Sequence, residues 1–358
     1  MKIDIFNETK YNHYKHINHY LYDYLCDKHE VRFLQRFYMH KLSLSKIFEM
    51  LFSIFSCRGF VDKNISNDKG IRILNIPHIS RLLDKMNFFF VKLQLKYFGD
   101  ICITFVPSPS LSDIYKHYKT VIYYCVHDSL VQKYSDYIID YEKYLIDKSN
   151  ILFCDNETVL SRFIKDSSEQ YISILDSSES KFYHVPPPVP DIFFDIQQSV
   201  SEPVYDFIYF GSIHDNIEIE AFYELANLNN TILIMSNEAH LICKNRNIII
   251  KNATADLRIL CENISLARYI LFPYKNTKFI ETISPGKLNQ SFATKKPIIS
   301  SSVFLTKKYN LIDYNIFIKN EQIVKTWTVH EDINKYKNSI LMEIIESKIE
   351  KTAKFKKL

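Results

Sequence analysis

Glycine is scarce: the 358 residues hold 5, at positions 59, 70, 99, 211 and 286. In so glycine-poor a chain the survivors mark turns or close backbone approaches. Neither G-x-G-x-x-G nor G-x-x-x-x-G-K-[ST] occurs, which removes the standard dinucleotide and P-loop phosphate signatures. No D-x-D occurs, so the carboxylate pair that would hold a divalent ion against a diphosphate is missing. The 7 cysteines (26, 57, 102, 125, 154, 243, 261) form no C-x-x-C and read as reduced thiols in the cores of a cytosolic protein. No run approaches the roughly 18 apolar residues of a membrane span. Met1-Lys2-Ile3-Asp4-Ile5-Phe6 carries Asp4 inside its short apolar run and does not read as a signal peptide. A net charge of +4 excludes a strongly basic nucleic-acid binder, and no nucleic-acid partner is expected.

What is present fits two globular cores: 47% hydrophobic residues over a length beyond one ordinary domain. Aromatics reach 15%, with 25 Tyr and 26 Phe against 1 Trp, which fits either coding bias or a surface that touches lipid or sugar. Short β-rich runs alternate with amphipathic stretches. Strands are predicted at 2–6, 31–35, 71–76, 101–106, 121–126 and 151–154, then at 205–210, 231–235, 247–251, 268–272 and 297–300. Helices are predicted at 129–148, 215–228, 255–265 and 287–294. Such alternation implies βαβ units and parallel sheets. Between the halves lies His184-Val185-Pro186-Pro187-Pro188-Val189-Pro190, too proline-rich for helix or central strand and therefore a stiff connector. The expected architecture is α/β, with two Rossmann-like doubly wound domains facing across a cleft. Domain one spans 1–184, the linker 185–203, domain two 204–330, and a C-terminal helix and basic tail 331–358, read as packing back on the first domain.

Two stretches of the second half carry the chemistry. Gly211-Ser212-Ile213-His214-Asp215 follows strand 205–210 and precedes a helix. There a ligand would meet bare backbone and the Ser212 hydroxyl; a plain βα turn is the other reading. Further on come Pro273-Tyr274 and Ser284-Pro285-Gly286-Lys287-Leu288-Asn289-Gln290. Ser284 suits an N-cap and Pro285 the first helical position. Gly286 leaves an amide uncovered, Lys287 adds a full cation to the helix's partial positive charge, and Gln290 shares the Lys287 face. A diphosphate-linked ligand would find its charge, donors and a polar neighbour within one turn; a capped helix leading into strand 297–300 is the plainer reading.

Leu271–Ser300 resembles the donor site of GT-B glycosyltransferases of bacterial surface-polysaccharide assembly. Their pattern is a hydrophobic run, Pro-Tyr/Phe, about ten polar residues, then Pro-x-Lys-Leu-x-Glu-Tyr-Leu-Ala-x-Gly-Lys-Pro-Val-Val. Asn247–Asp256 looks like the family's strand and turn under the nucleotide base, and Val121–Asp128 resembles its Val-Tyr-Asp-x-x-Asp-Asp strand end. The resemblance implies a nucleoside-diphosphate-sugar donor as co-substrate, with no cofactor and no metal. It also implies a saccharide or lipid-linked acceptor held by the first domain, and capsule, lipopolysaccharide or exopolysaccharide synthesis on the cytoplasmic side. Donor residues would be Gly211, Ser212, Tyr274, Ser284, Pro285, Gly286, Lys287 and Gln290. The large retaining group has Glu where this chain has Gln290, and the acidic partner of that Glu would fall at Thr282, beside Glu281. Lys-x-x-Gln looks more like the inverting glucuronosyltransferases.

An inverting transfer needs a general base. Asp128, with His127 as alternative, is the candidate; Asp128 reads equally as a helix cap. His13, His16 and His19 drift around a helix with no carboxylate or Cys at ligand spacing, so an acceptor surface or covering helix is expected over a metal site. Lys351, Lys354, Lys356 and Lys357, in the tail from Lys348, read either as a peripheral membrane contact or as a solvated end. A non-catalytic nucleotide-sugar-binding subunit of an assembly complex, or a sugar-nucleotide epimerase, are the competing functions.

Overall fold

A computed structural model of the chain describes residues 1–8, 11, 15–35, 71–73, 91–92, 95, 97–108, 111, 114–126, 128–131, 136–165, 168–196, 203–242, 244–282, 286–320, 324, 327 and 332–355. His13, His127, Ser284, Pro285, Lys356 and Lys357 lie outside them. The chain divides into two compact units, Met1–Pro186 with Met342–Leu358, and Pro187–Leu341.

The first unit is built on β1 (Lys2–Phe6), β2 (Glu30–Gln35), β3 (Ile71–Ile73), β4 (Ile101–Thr104), β5 (Thr120–Cys125), β6 (Ile151–Cys154), β7 (Tyr171–Ser173) and β8 (Phe182–His184). They form one sheet in the order β3-β2-β1-β4-β5-β6-β8-β7, parallel throughout. Every residue of β4, β5 and β6 is buried, as near-continuous apolar runs are when helices cover both faces. Strands β7 and β8 were not expected; at three residues each they are too short to show a period. The helix predicted at 129–148 is described as Asp136–Lys148, and Asn156 caps a further helix, Glu157–Ile164, by accepting from Thr158 and Val159 amides.

Register puts Asp4 of β1 opposite Arg32 of β2, both buried. The guanidinium grips the carboxylate with two bonds, Nε–Oδ1 2.6 Å and Nη2–Oδ2 2.7 Å. Tyr118 Oη (2.6 Å) and Gly99 N (2.9 Å) also donate to Oδ2. A Cβ at Gly99 would stand 2.8 Å from the Lys2 carbonyl oxygen, so only glycine lets the chain approach this pair.

The final helix, Asn338–Phe355, supplies Lys348 and Glu346 to the first unit. Lys348 is no part of a basic membrane face. It is 6% exposed and donates to the carbonyls of Asp176 (3.1 Å) and Ser178 (2.7 Å), over the Tyr183 ring. Lys351 and Lys354 are exposed. No helix of the described residues is long and apolar enough to cross a membrane.

In the second unit β9 (Tyr205–Phe210), β10 (Ile232–Met235), β11 (Ile248–Lys251), β12 (Ala267–Phe272), β13 (Ile298–Ser300) and β14 (Ile312–Asp313) form a parallel sheet ordered β11-β10-β9-β12-β13-β14. The chain steps outward from β9 to β11, crosses back, and continues from β12 on the other side. The direction of winding therefore reverses between β9 and β12, where ligands of such sheets bind beyond the strands' carboxyl ends.

The helix Gly286–Ala293 ends on Lys295, whose φ of 58° is left-handed. A side chain there costs about 1–2 kcal/mol that glycine avoids. Lys295→Gly is expected to stabilise this unit by about 1 kcal/mol, read as a raised denaturation midpoint, whereas Lys295→Ala should give no gain.

Candidate functional site

Beyond β9 the backbone turns at Gly211, with φ 150°, and Gly211 N–H donates to the Met235 carbonyl at 3.0 Å. Tyr209 Oη holds the Ser212 carbonyl at 2.6 Å, leaving the Ser212 side chain exposed. Beyond β12, Tyr274 bridges to Ile217 and lies 6.4 Å, centroid to centroid, from His214. Tyr274 is 6% exposed, and burial pushes its hydroxyl up to about 12. The Pro-Tyr signal thus marks a residue that supports the turn from beneath, whatever it offers a ligand.

Lys287 comes to this turn from the helix Gly286–Ala293. A Cβ at Gly211 would lie 2.1 Å from Lys287 Nζ, 3.0 Å from Cε and 3.3 Å from Cδ, so the lysine occupies the space that glycine leaves open. Among the described residues no hydrogen bond or ion pair reaches this ammonium. Burial lowers its pKa to about 8, partly offset by the Glu238 carboxylate. Lys287 in turn adds to the part burial that lowers His214. The structure therefore joins Gly211, Ser212, Lys287 and the first amides of Gly286–Ala293 at the reversal point of the winding.

Gly286 has ordinary φ, and among the described residues a Cβ there would meet Pro187 Cβ at 3.6 Å. Asn289 Nδ2 donates to the Pro187 carbonyl at 3.1 Å, and Gln290 is half-buried on the same helix. Sequence reasoning missed Glu238 and Ser236, beyond β10. Ser236 Oγ donates to Glu238 at 2.9 Å, the main reason that carboxyl sits below its usual range.

No protein-family model matches the chain, and no curated protein sequence matches it. Solved structures do. UDP-GlcNAc 2-epimerase of Methanocaldococcus jannaschii is 14% identical, with TM-score 0.54 over 98% of this chain and 99% of that one. Sucrose-phosphate synthase of Thermosynechococcus elongatus is 12% identical, with TM-score 0.57 over 98% and 96%. Anabaena HepE, solved with UDP and glucose, is 9% identical, with TM-score 0.59 over 98% and 100%. The chain has the GT-B fold.

In GT-B terms the Lys287 turn belongs to the C-terminal Rossmann-like unit. In the N-terminal one, Asp128 stands just beyond β5. It is 5% exposed; Oδ2 accepts from Arg162 Nη1 at 2.8 Å and Oδ1 from Leu130 N at 3.0 Å. Next to it Glu142 accepts from Tyr123 Oη at 2.6 Å and from Ser129 Oγ, and burial raises its pKa. Asp128 is thus bonded in a turn and an ion pair; the helix it was read as capping, from near Ser129, is described from Asp136. His19 is fully buried and its Nδ1 accepts from His16 N–H at 3.0 Å, so this pair caps the helix Ile17–Cys26. Among the described residues His29, Glu346 and Glu350 converge at metal-ligand spacing, but Lys28 Nζ already neutralises Glu346 at 2.6 Å.

Proposed function

We propose that this GT-B chain is a glycosyltransferase that takes a sugar from a nucleoside-diphosphate-sugar. The observation that carries the reading is the Lys287 ammonium, half-buried, without a partner among the described residues, and laid on Gly211 where the winding reverses. Desolvating a cation costs free energy unless an anion compensates. A diphosphate would supply that charge, with the helix amides as donors, and its growing charge on departure would be held without a metal. Saccharide or lipid-linked acceptors, surface-polysaccharide synthesis and peripheral attachment to the cytoplasmic face of the membrane complete the reading.

General-base work on the acceptor hydroxyl is assigned to Asp128, with His127 as alternative. Asp128→Asn is expected to abolish transfer and leave nucleotide affinity within about twofold. Retained turnover removes Asp128 from the role. Should Asp128→Asn lose its fold, Arg162→Gln keeps the carboxylate. In that variant a base role predicts a changed kcat with nucleotide affinity kept, and a purely structural role a parallel loss of both.

A second reading, nucleotide-sugar epimerase, is favoured by the likeness to the Methanocaldococcus enzyme. Purified protein with a panel of UDP-, GDP- and ADP-sugars, with and without acceptor glycans, separates the two. Release of nucleoside diphosphate that needs acceptor supports transfer; interconversion of sugars without acceptor supports the epimerase. Binding with neither reaction would point to a non-catalytic subunit.

A further inference from the structure

The final helix buries Met342, Ile345 and Ile349 completely, and their spacing of three and four keeps them on one face. Glu346 lies beside that stripe with its side chain only 10% exposed. Glu350 follows one turn later, and like charges at this spacing repel. His29 meets the pair from the turn between the helix Ile17–Cys26 and β2, where its amide donates to the Leu25 carbonyl at 2.9 Å. The His29 ring is 9% exposed, and Nε2 stands 3.0 Å from Glu346 Oε1. One ligand atom each from His29, Glu346 and Glu350 lies within 4.8 Å of the other two.

Two lysines face the carboxylates. Lys28 Nζ bonds Glu346 Oε2 at 2.6 Å from a half-exposed side chain, and it also donates to the Tyr24 hydroxyl at 2.9 Å. Lys354 Nζ is exposed and 3.9 Å from Glu350 Oε2, a pair that water and salt weaken. Among the described residues neither lysine bonds Glu346 Oε1, which meets the imidazole instead. One imidazole nitrogen with two carboxylate oxygens is a donor set for zinc, cobalt or nickel, whereas magnesium and calcium prefer oxygen throughout. Zinc bonds of about 2.0–2.1 Å put tetrahedral ligands about 3.3 Å apart, so the trio need contract by at most about 1.5 Å. A turn of the half-exposed Glu350 side chain would supply that. The Nε2 proton would leave to solvent on binding, and water would complete the shell.

We propose that His29, Glu346 and Glu350 bind one divalent transition-metal ion, zinc before the others, which pins the final helix to the turn ahead of β2. All three residues belong to the first unit. The site draws on no residue of the Lys287 turn and does not depend on the donor-site reading. Lys28 is its competitor, because its ammonium is drawn to the same carboxylate.

The test uses the full chain, without an affinity tag and stripped with EDTA, titrated calorimetrically with zinc chloride and separately with magnesium chloride. Wild type is expected to take up one zinc per chain, undisturbed by magnesium in about hundredfold excess. Saturating zinc should raise its Tm by mass action. His29→Ala and Glu350→Gln should each weaken uptake by about tenfold or more and remove most of that rise. Lys28→Gln keeps all three ligands and should bind zinc more tightly. Cys26→Ser, which removes an exposed thiol three residues from His29, should bind as wild type does. No uptake by wild type, uptake that survives both ligand variants, or uptake lost in Cys26→Ser overturns the proposal. Weaker binding by Lys28→Gln does so too, because the cluster would then be an ion pair and nothing more. If His29→Ala fails to fold, Glu350→Gln decides the matter alone.

Discussion

Lys287→Ala is expected to weaken nucleoside-diphosphate binding by about 10–100-fold, the worth of a charge-assisted contact made out of bulk water. Gly211→Ala should do the same without touching the lysine, because its Cβ would stand 2.1 Å from Nζ and drive the ammonium off the turn. The two substitutions remove one interaction, so the double variant should bind about as weakly as Lys287→Ala alone. Additive losses would mean that the residues act separately. The pH dependence follows from the lysine pKa of about 8. A diphosphate needs the charged form, so affinity should be level near pH 7 and fall towards tenfold per unit above about pH 8.5. The neighbours do not confuse this window: Glu238 stays ionised, lowered His214 is already neutral, and Tyr274 titrates near 12. Stability of the unliganded protein should move the other way. A lysine whose folded pKa is depressed binds fewer protons folded than unfolded between pH 8 and 10.5, so folding gains as pH rises through that range. Isothermal titration and thermal unfolding across pH 7–10 check both limbs. Affinity of Lys287→Ala within twofold of wild type would remove the lysine from the site.

Much of this arrangement was written in the chain. The strands 2–6, 151–154 and 205–210 are apolar runs between breaks, and they form with those bounds. Strand β14 has two residues, Ile312 and Asp313, and no pattern can announce it. Gly211 and Lys287 stood out singly, one by scarcity and the other by its place behind Ser284-Pro285-Gly286. That they touch was not legible, because the contact depends on the chain crossing from β11 back past β9 to β12, a matter of strand order rather than local sequence. Tyr274 was read as a ligand contact from its motif, and the fold buries it; a Pro-Tyr pair cannot say which side of a turn its ring will take. Glu238 carried no signal, since a carboxylate after a strand is commonplace.

Asp4 was visible as an oddity, an acid inside an apolar strand, and the fold shows what it does. Its carboxylate takes both forks of Arg32 while Tyr118 and Gly99 fill its remaining acceptor room, and Arg32 gives its other donors to the carbonyls of Leu95 (3.2 Å) and Tyr97 (2.9 Å). Breaking a buried pair leaves one charge without compensation, which costs about 3–5 kcal/mol. Asp4→Ala should therefore destabilise the first unit by that amount, and salt should change the loss little, because buried charges are poorly screened. Removing both charges is a different experiment. Asp4→Leu with Arg32→Met leaves nothing buried and unpaired except the Tyr118 hydroxyl, the Gly99 amide and two carbonyls, so it should recover part of the loss. Urea denaturation of the three proteins decides it: a loss under about 1 kcal/mol for Asp4→Ala would mean that water reaches the pair. A double variant as weak as Asp4→Ala would place the cost in the orphaned polar partners rather than in the stranded guanidinium.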